Sequence, residues 1–140
     1  MATASRSALI QRPQADMSAY LADPSRHNEW NLALLRTDML DTGPVAVGTR
    51  AVEVRRMFGH EVRSPFTITL HDPPDRQDFH TTGGPIRPDG IMRCTNERRA
   101  CRVSYEMTLR GPLAPILIRG LSRGMEGNLA NVKRVIEARS

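Results

Sequence analysis

Aromatic residues are scarce in this chain of 140 residues, at 4% of the total. Lysine is scarcer still, because Lys133 is the only one, so the net charge of +5 depends on arginines. These arginines are spread from Arg6 to Arg139, with no run longer than two. Nucleic-acid-binding proteins cluster their basic residues on one surface, and single-strand binders add aromatic rings that stack on bases. We therefore expect no nucleic acid among the partners.

Long hydrophobic runs are also missing. No apolar stretch approaches the roughly 20 residues that cross a bilayer, and residues 1–6 lack the apolar core of a signal peptide. The sequence therefore predicts a cytoplasmic protein without integral membrane association. A chain of this length is expected to form one domain, over residues 1–140.

Catalytic and metal-binding motifs are absent as well. The chain contains no recognisable Ser-His-Asp motif, no phosphate-binding glycine loop and no metal-ligand spacing, and its four histidines are scattered singly. We interpret His27, His60 and His71 as surface or turn residues and expect no metal site. His80 is the exception, because it follows Phe79 on a predicted strand and would be a candidate general base if it faced inward.

The C-terminal stretch, residues 112–139, carries the clearest pattern that is present. Its apolar residues recur at steps of three and four, which predicts one face of a long helix. Pro112 suits the first turn of such a helix. The predicted apolar face consists of Leu113, Ile116, Leu117, Leu121, Met125, Leu129, Val132, Val135 and Ile136.

Gly120 and Gly124 lie in line with that apolar face, and Gly127 follows. Each glycine inside a helix costs about 1 kcal/mol relative to alanine, so three of them require a reason. Close packing of the helix on a sheet, or a kink, is one explanation. The other is that the missing side chains leave room for a ligand beside the helix.

Most of the remaining chain alternates in the manner of β-strands. Cys101, Val103, Tyr105, Met107 and Leu109 alternate with polar residues and form the clearest strand. Turns rich in glycine and proline separate the strands. The predicted strands are residues 7–11, 34–40, 50–58, 61–70, 76–82, 91–95 and 101–109, with short helices at 14–22 and 25–30. This order indicates an α+β fold with an antiparallel sheet.

The two cysteines, Cys94 and Cys101, flank a predicted hairpin turn. If residues 96–99 form that turn, the two lie directly opposite one another, close enough for a disulfide. Two reduced thiols in a reducing cytoplasm is the interpretation we prefer. The same pairing places Met92 on one face with Val103 and Tyr105.

This order of elements, with several local motifs, resembles the START/Bet v 1-like (SRPBCC) superfamily. Within it, the chain is most similar to the bacterial polyketide cyclase/dehydrase and lipid-transport group. Two features depart from the usual pattern: the 83–90 loop, rich in glycine and proline, and Arg99-Ala100 before the last strand. The motifs that carry the resemblance are Pro13, residues 20–24 leading to Trp30, Gly43-Pro44, Val47-Gly48-Thr49, Asp72-Pro73-Pro74 and the terminal helix.

The resemblance implies a helix-grip fold, in which a curved antiparallel sheet of about six to seven strands wraps around the C-terminal helix. It also implies a cavity between helix and sheet for a small hydrophobic molecule, polyketide-like or lipid-like, with no cofactor. Two activities stay open: a cofactor-independent polyketide cyclase/dehydratase and a non-catalytic carrier. A third alternative is an adaptor with a side-chain-filled pocket and a basic partner-binding surface. We expect the 83–90 loop to be the lid of the cavity.

The cavity lining is predicted from strand alternation and from the helix face. On the third strand we take Val52 and Val54 as inward, which also turns Arg56 inward. Arg56 is then either a ligand anchor or a side chain that reaches out to solvent. Tyr105 is either core or a hydroxyl that orients a ligand. With His80, these two are the catalytic candidates. The predicted ligand-binding residues are Trp30, Val54, Arg56, Phe66, Phe79, Met92, Tyr105, Met107, Leu117, Gly120, Leu121, Gly124 and Met125.

Overall fold

The structure, a computed structural model, describes residues 1–57 and 59–139. Phe58, the predicted end of the third strand, lies outside the described residues. Seven strands and two α-helices follow in an order that agrees with the sequence prediction, and a 3-10 helix, Pro24–Glu29, follows the first α-helix. The elements are β1 (Ala2–Ile10), α1 (Gln14–Leu21), β2 (Leu34–Met39), β3 (Arg50–Met57), β4 (His60–Asp72), β5 (Arg76–Thr81), β6 (Asp89–Glu97), β7 (Ala100–Leu109) and α2 (Ala114–Glu137).

The seven strands form one antiparallel sheet in the order β1-β7-β6-β5-β4-β3-β2. Strand β1 crosses to pair with β7, and the remaining strands follow as consecutive hairpins. Helix α2 packs mainly along β1 and β7. The predicted α+β helix-grip fold is confirmed.

From Met125 onward, helix α2 buries one face. Its buried residues Met125, Leu129, Val132 and Ile136 face the sheet and α1. The prediction is wrong for the first turns, where Leu113, Ile116 and Leu117 are 60%, 69% and 38% exposed. Ile116 precedes Met125 by about two and a half turns at 3.6 residues per turn, so the two lie on opposite sides of the helix. The helix begins at Ala114, which places Pro115 in the first turn in place of Pro112.

The β6–β7 hairpin has a tighter turn than predicted. Its two central residues are Arg98 and Arg99, both with positive φ, at 49° and 73°. Glu97 therefore pairs with Ala100, and Cys94 lies opposite Val103 instead of Cys101. The predicted direct opposition of the cysteines is wrong because a two-residue turn shifts the register relative to a four-residue turn.

Both cysteines are free and buried in the main core. Burial raises the pKa of the Cys94 thiol to about 12, so the thiol stays protonated at neutral pH. Each cysteine acts here as a small hydrophobic residue.

Candidate functional site

A cavity of about 310 Å³ lies between the first half of α2 and strands β3, β4, β5 and β7. Its strand side includes five of the residues predicted to bind ligand: Arg56, Phe66, Phe79, Tyr105 and Met107. Its helix side includes four more: Gly120, Leu121, Gly124 and Met125. The 83–90 loop closes a further side through Pro85, Ile86 and Pro88. This is the position expected for a lid.

The helix glycines border open space. A Cβ atom built on Gly120 or Gly124 would meet no atom within 4 Å outside its own helix neighbourhood, and both residues line the cavity. Close packing of the helix against the sheet therefore does not explain them. Both glycines are exposed, so the space that their missing side chains leave opens onto the mouth of the cavity.

Four predicted residues lie elsewhere. Trp30 is buried in the core, with its ring 5.1 Å from that of His27. Met92 faces a second, inner chamber. Leu117 lines a surface groove beside the end of β7 and does not line the cavity. Val54 is fully buried but does not line the cavity.

The reason for the error at Val54 is the alternation of β3. Glu53, Arg55 and Met57 line the cavity, and successive side chains of a strand point to opposite faces. Val54 therefore lies on the other face of the sheet. Arg56 contacts the cavity only at its exposed rim, near the end of the strand.

Glu53 and Arg55 are the charged groups that sequence reasoning missed. They form an ion pair on the cavity wall, and their side chains are only 15% and 29% exposed. Their strand partners, Ser64 and Val62, line the same cavity. The spacing held a signal, because opposite charges two residues apart share one face of a strand. If the face with Glu53 and Arg55 is taken as inward, the two charges pair with each other. The sequence prediction took the face with Val54 as inward, and that face leaves the charge of Arg56 without a partner.

Tyr105 shares this environment. Burial, and then the nearby Glu53 carboxylate, raise the pKa of its phenol, while the Arg55 guanidinium lowers it by less. The hydroxyl therefore stays protonated across the physiological range and is available as a hydrogen-bond donor. The ring of Phe79 lies 6.5 Å from that of Tyr105 and 5.8 Å from that of Phe66.

These aromatic rings divide the cavity from an inner chamber of about 40 Å³. Glu53, Phe66, Phe79 and Tyr105 line both spaces. A volume of this size is enough for one or a few water molecules, each of which needs about 10–15 Å³. The two spaces therefore share a wall that carries one carboxylate and one phenol.

Two histidines border the inner chamber. The Nε2 atom of His27 lies 2.9 Å from the carbonyl oxygen of Leu21, and Nδ1 of His71 lies 2.7 Å from the side-chain oxygen of Gln77. Burial lowers the pKa of His27, against a smaller opposing effect of Glu53. His27 is therefore neutral at neutral pH.

The inward position of His71 results from an irregularity in β4. The pairing of β4 with β5 shifts between Ile68 and Leu70, so that His71 lies opposite Gln77 and Leu70 lies opposite Asp78. Both His71 and Gln77 line the inner chamber. Strict alternation from Phe66 and Ile68 would turn Leu70 inward in place of His71, and an extra residue in a strand reverses such an assignment.

The structure places His80 outside the cavity. Its side chain is 52% exposed and pairs with Asp89 across β5 and β6. Its neighbour Thr81 is buried and lines the cavity instead. The condition for His80 to act as a general base in the cavity is therefore not met, because the register of β5 turns Phe79 and Thr81 inward.

Within residues 1–57 and 59–139, no group of three His, Cys, Asp or Glu side chains is arranged to hold a metal ion. Neither of the described α-helices combines the length and the apolar character needed to cross a membrane.

The comparisons with known proteins agree with this geometry. The family described as polyketide cyclase / dehydrase and lipid transport matches residues 1–137. A START superfamily protein from Mycobacterium smegmatis superimposes with a TM-score of 0.83 at 8% sequence identity, covering 99% of both chains. The Zhui aromatase/cyclase from Streptomyces sp. R1128 superimposes with a TM-score of 0.79 at 13% identity, covering 99% of this chain and 94% of the other. None of the curated proteins matches this chain in sequence.

Proposed function

Because this chain belongs to the polyketide cyclase / dehydrase and lipid transport family, we propose that it binds one small hydrophobic molecule in the cavity between α2 and the sheet. The observation that carries the proposal is the open space at Gly120 and Gly124. Glycine weakens a helix by about 1 kcal/mol per residue relative to alanine. A ligand that occupies this space would explain why the helix keeps glycines that reduce its stability. An adaptor with a filled pocket would not explain them.

The volume limits the size of the ligand. An apolar cavity of about 150 Å³ accommodates benzene, so 310 Å³ accommodates a molecule of roughly two fused rings or a short chain of similar size. Phe66, Phe79 and Met107 supply apolar contacts on the strand side. A flat aromatic or polyketide-like molecule fits these walls better than a long lipid tail.

The polar groups favour a ligand with a polar end. Glu53 and Arg55 together carry no net charge, and the Tyr105 hydroxyl adds a donor beside them. A carbonyl oxygen accepts from Tyr105 or Arg55, and a hydroxyl group donates to Glu53. A ligand that carries both groups, such as a β-hydroxy ketone, satisfies all three side chains without displacing the ion pair.

The same three groups support a second candidate function, a cofactor-independent dehydratase. Glu53 would take the proton on the carbon next to the carbonyl, while Tyr105 and Arg55 stabilise the enolate oxygen. Protonation of Glu53 removes its charge and frees Arg55 for the enolate. The bond between the β-carbon and its hydroxyl group then breaks. The leaving hydroxide takes the proton from Glu53 and departs as water, which returns Glu53 to its carboxylate form.

Native mass spectrometry tests the binding proposal. Protein purified from its own host is expected to carry a molecule of low mass that is lost on denaturation. Gly124→Leu places a large side chain into the cavity and should remove that molecule, whereas Gly127→Leu is the matched control outside the cavity lining. A wild-type protein without a bound molecule that also fails to bind an apolar dye would contradict the proposal.

The dehydratase is tested with a β-hydroxy aryl ketone, whose conjugated product absorbs at longer wavelength. Glu53→Gln and Tyr105→Phe are expected to lower kcat while leaving dye binding within a few-fold of wild type. If the wild-type protein binds the ketone and does not convert it, the carrier function stands and the dehydratase does not.

A further inference from the structure

The first turns of α2 expose an apolar surface that nothing in the described structure covers. Leu113, Ile116 and Leu117 are 60%, 69% and 38% exposed, and we call these three residues the α2 entrance patch. Aliphatic side chains exposed singly are common, but a contiguous group marks an interaction surface. These three lie at one end of one helix.

Positive charge surrounds the patch. From residue 107 to residue 125 the chain contains Arg110, Arg119 and Arg123 and no acidic residue. Arg119 and Arg123 follow Ile116 by three and seven positions, which places them on the same side of the helix. Among the described residues, neither of them forms an ion pair with an acidic group. Arg110 contacts Asp89 at 3.5 Å but remains 72% exposed.

The patch adjoins the mouth of the cavity. Leu117 lines a surface groove together with Arg87, Pro85 and Ile86 of the 83–90 loop. Pro85 and Ile86 also line the cavity, as does Gly120 one turn beyond Ile116. A surface that docks here would therefore lie against the cavity entrance and the proposed lid.

We propose that the α2 entrance patch docks on the surface of an anionic lipid bilayer. Aliphatic side chains flanked by arginines fit the boundary between acyl chains and headgroups, where apolar residues insert and basic residues contact lipid phosphates. A second copy of the chain would bring its own unpaired arginines against these and is disfavoured by charge. Docking at this surface would expose the cavity mouth directly to molecules dissolved in the bilayer. The docking proposal does not depend on whether the cavity catalyses a reaction.

Co-sedimentation with lipid vesicles tests the proposal. The protein is expected to bind vesicles of phosphatidylcholine mixed with phosphatidylglycerol, to bind vesicles of phosphatidylcholine alone much more weakly, and to be released by high salt. Arg119→Gln with Arg123→Gln should weaken binding roughly 25-fold, at about fivefold for each arginine. Leu113→Ser with Ile116→Ser should reduce binding to the level seen with neutral vesicles.

Matched controls lie elsewhere on the surface. Val47→Ser removes an apolar side chain of similar exposure, 65%, from the loop before β3, and Arg134→Gln removes an arginine from the opposite end of α2. Both should bind vesicles as the wild type does. Gly124→Leu should also keep vesicle binding, which separates this proposal from the ligand proposal.

Three results would overturn the proposal. They are equal binding to neutral and anionic vesicles, patch variants that bind no more weakly than the controls, and no vesicle binding by the wild type. Analytical ultracentrifugation adds a further test. If the protein dimerises and Ile116→Ser abolishes the dimer without affecting vesicle binding, the patch is an interface between copies.

Discussion

Replacing Gly120 and Gly124 by alanine is expected to stabilise the protein and to weaken ligand binding. Each alanine should add about 1 kcal/mol to the free energy of unfolding, since glycine is disfavoured by that amount inside a helix. No atom within 4 Å opposes the added Cβ at either position. The double variant should therefore gain about 2 kcal/mol, which for a chain of this size raises Tm by roughly 8 °C.

The effect on binding has the opposite sign. Each added methyl group occupies cavity space at the helix wall. If it displaces ligand surface equivalent to one methylene, the loss is about 0.8 kcal/mol, or roughly fourfold in Kd for each substitution. Fluorescence titration with N-phenyl-1-naphthylamine, a neutral apolar dye, measures this change. Urea denaturation measures the stability of the same samples after ligand has been removed, because bound ligand would itself stabilise the folded state.

Gly127→Ala provides the control, because Gly127 also borders open space but does not line the cavity. It should gain the same stability per substitution and leave dye affinity unchanged. Two results would refute the reasoning. A loss of stability in the double variant would mean that the glycines serve packing, and unchanged dye binding in both the double variant and Gly124→Leu would mean that the ligand binds elsewhere.

Three further predictions concern other parts of the molecule. Arg98→Asn with Arg99→Gly should stabilise the protein by about 1–2 kcal/mol in urea denaturation, because both residues have positive φ and Asn-Gly favours such a turn. If stability does not increase, these arginines make contacts that compensate for their backbone conformation. Gly90→Ala should destabilise the protein by about 1–3 kcal/mol and lower dye affinity, because the added Cβ would clash with the Phe79 ring and push that ring toward the cavity. Unchanged affinity would contradict this. Hydrogen bonds from neighbouring arginine and tyrosine side chains hold the pKa of Glu29 at about 2, below its ordinary value of 4.5. The contribution of Glu29 to stability is therefore complete above pH 4.5 and is lost as the pH falls toward 2. Glu29→Gln should flatten that part of the curve of stability against pH, and an unchanged acid profile would contradict this prediction.

The elements and their order could be predicted from the sequence because both depend on local spacing. The alternation from Cys101 to Leu109 defines a strand, since successive side chains point to opposite faces. The three- and four-residue steps after Leu113 define a helix, and Asp72-Pro73-Pro74 and Gly43-Pro44 interrupt the chain where turns occur. The resemblance based on this order identified the family that the match over residues 1–137 shows.

Nine of the thirteen predicted ligand-binding residues line the cavity, whereas the ion pair of Glu53 and Arg55 was missed. On β3 each face carries both an apolar and a charged residue, so alternation alone does not distinguish Val54 inward from Glu53 inward. The choice depends on which face meets α2, and that is a property of the assembled sheet.

Register also depends on contacts between distant residues. The shift in β4 that turns His71 inward leaves no mark in the sequence, because it forms where two strands pair. The same holds for the Arg98-Arg99 turn, where arginines occupy a conformation that asparagine and glycine favour and the strands on either side hold it in place. The sequence by itself determined the strands, the helices and their order, because these follow from the spacing of neighbouring residues. Only the tertiary structure decided which side chains face the cavity, because that depends on strand pairing and on the side of the sheet that the helix covers.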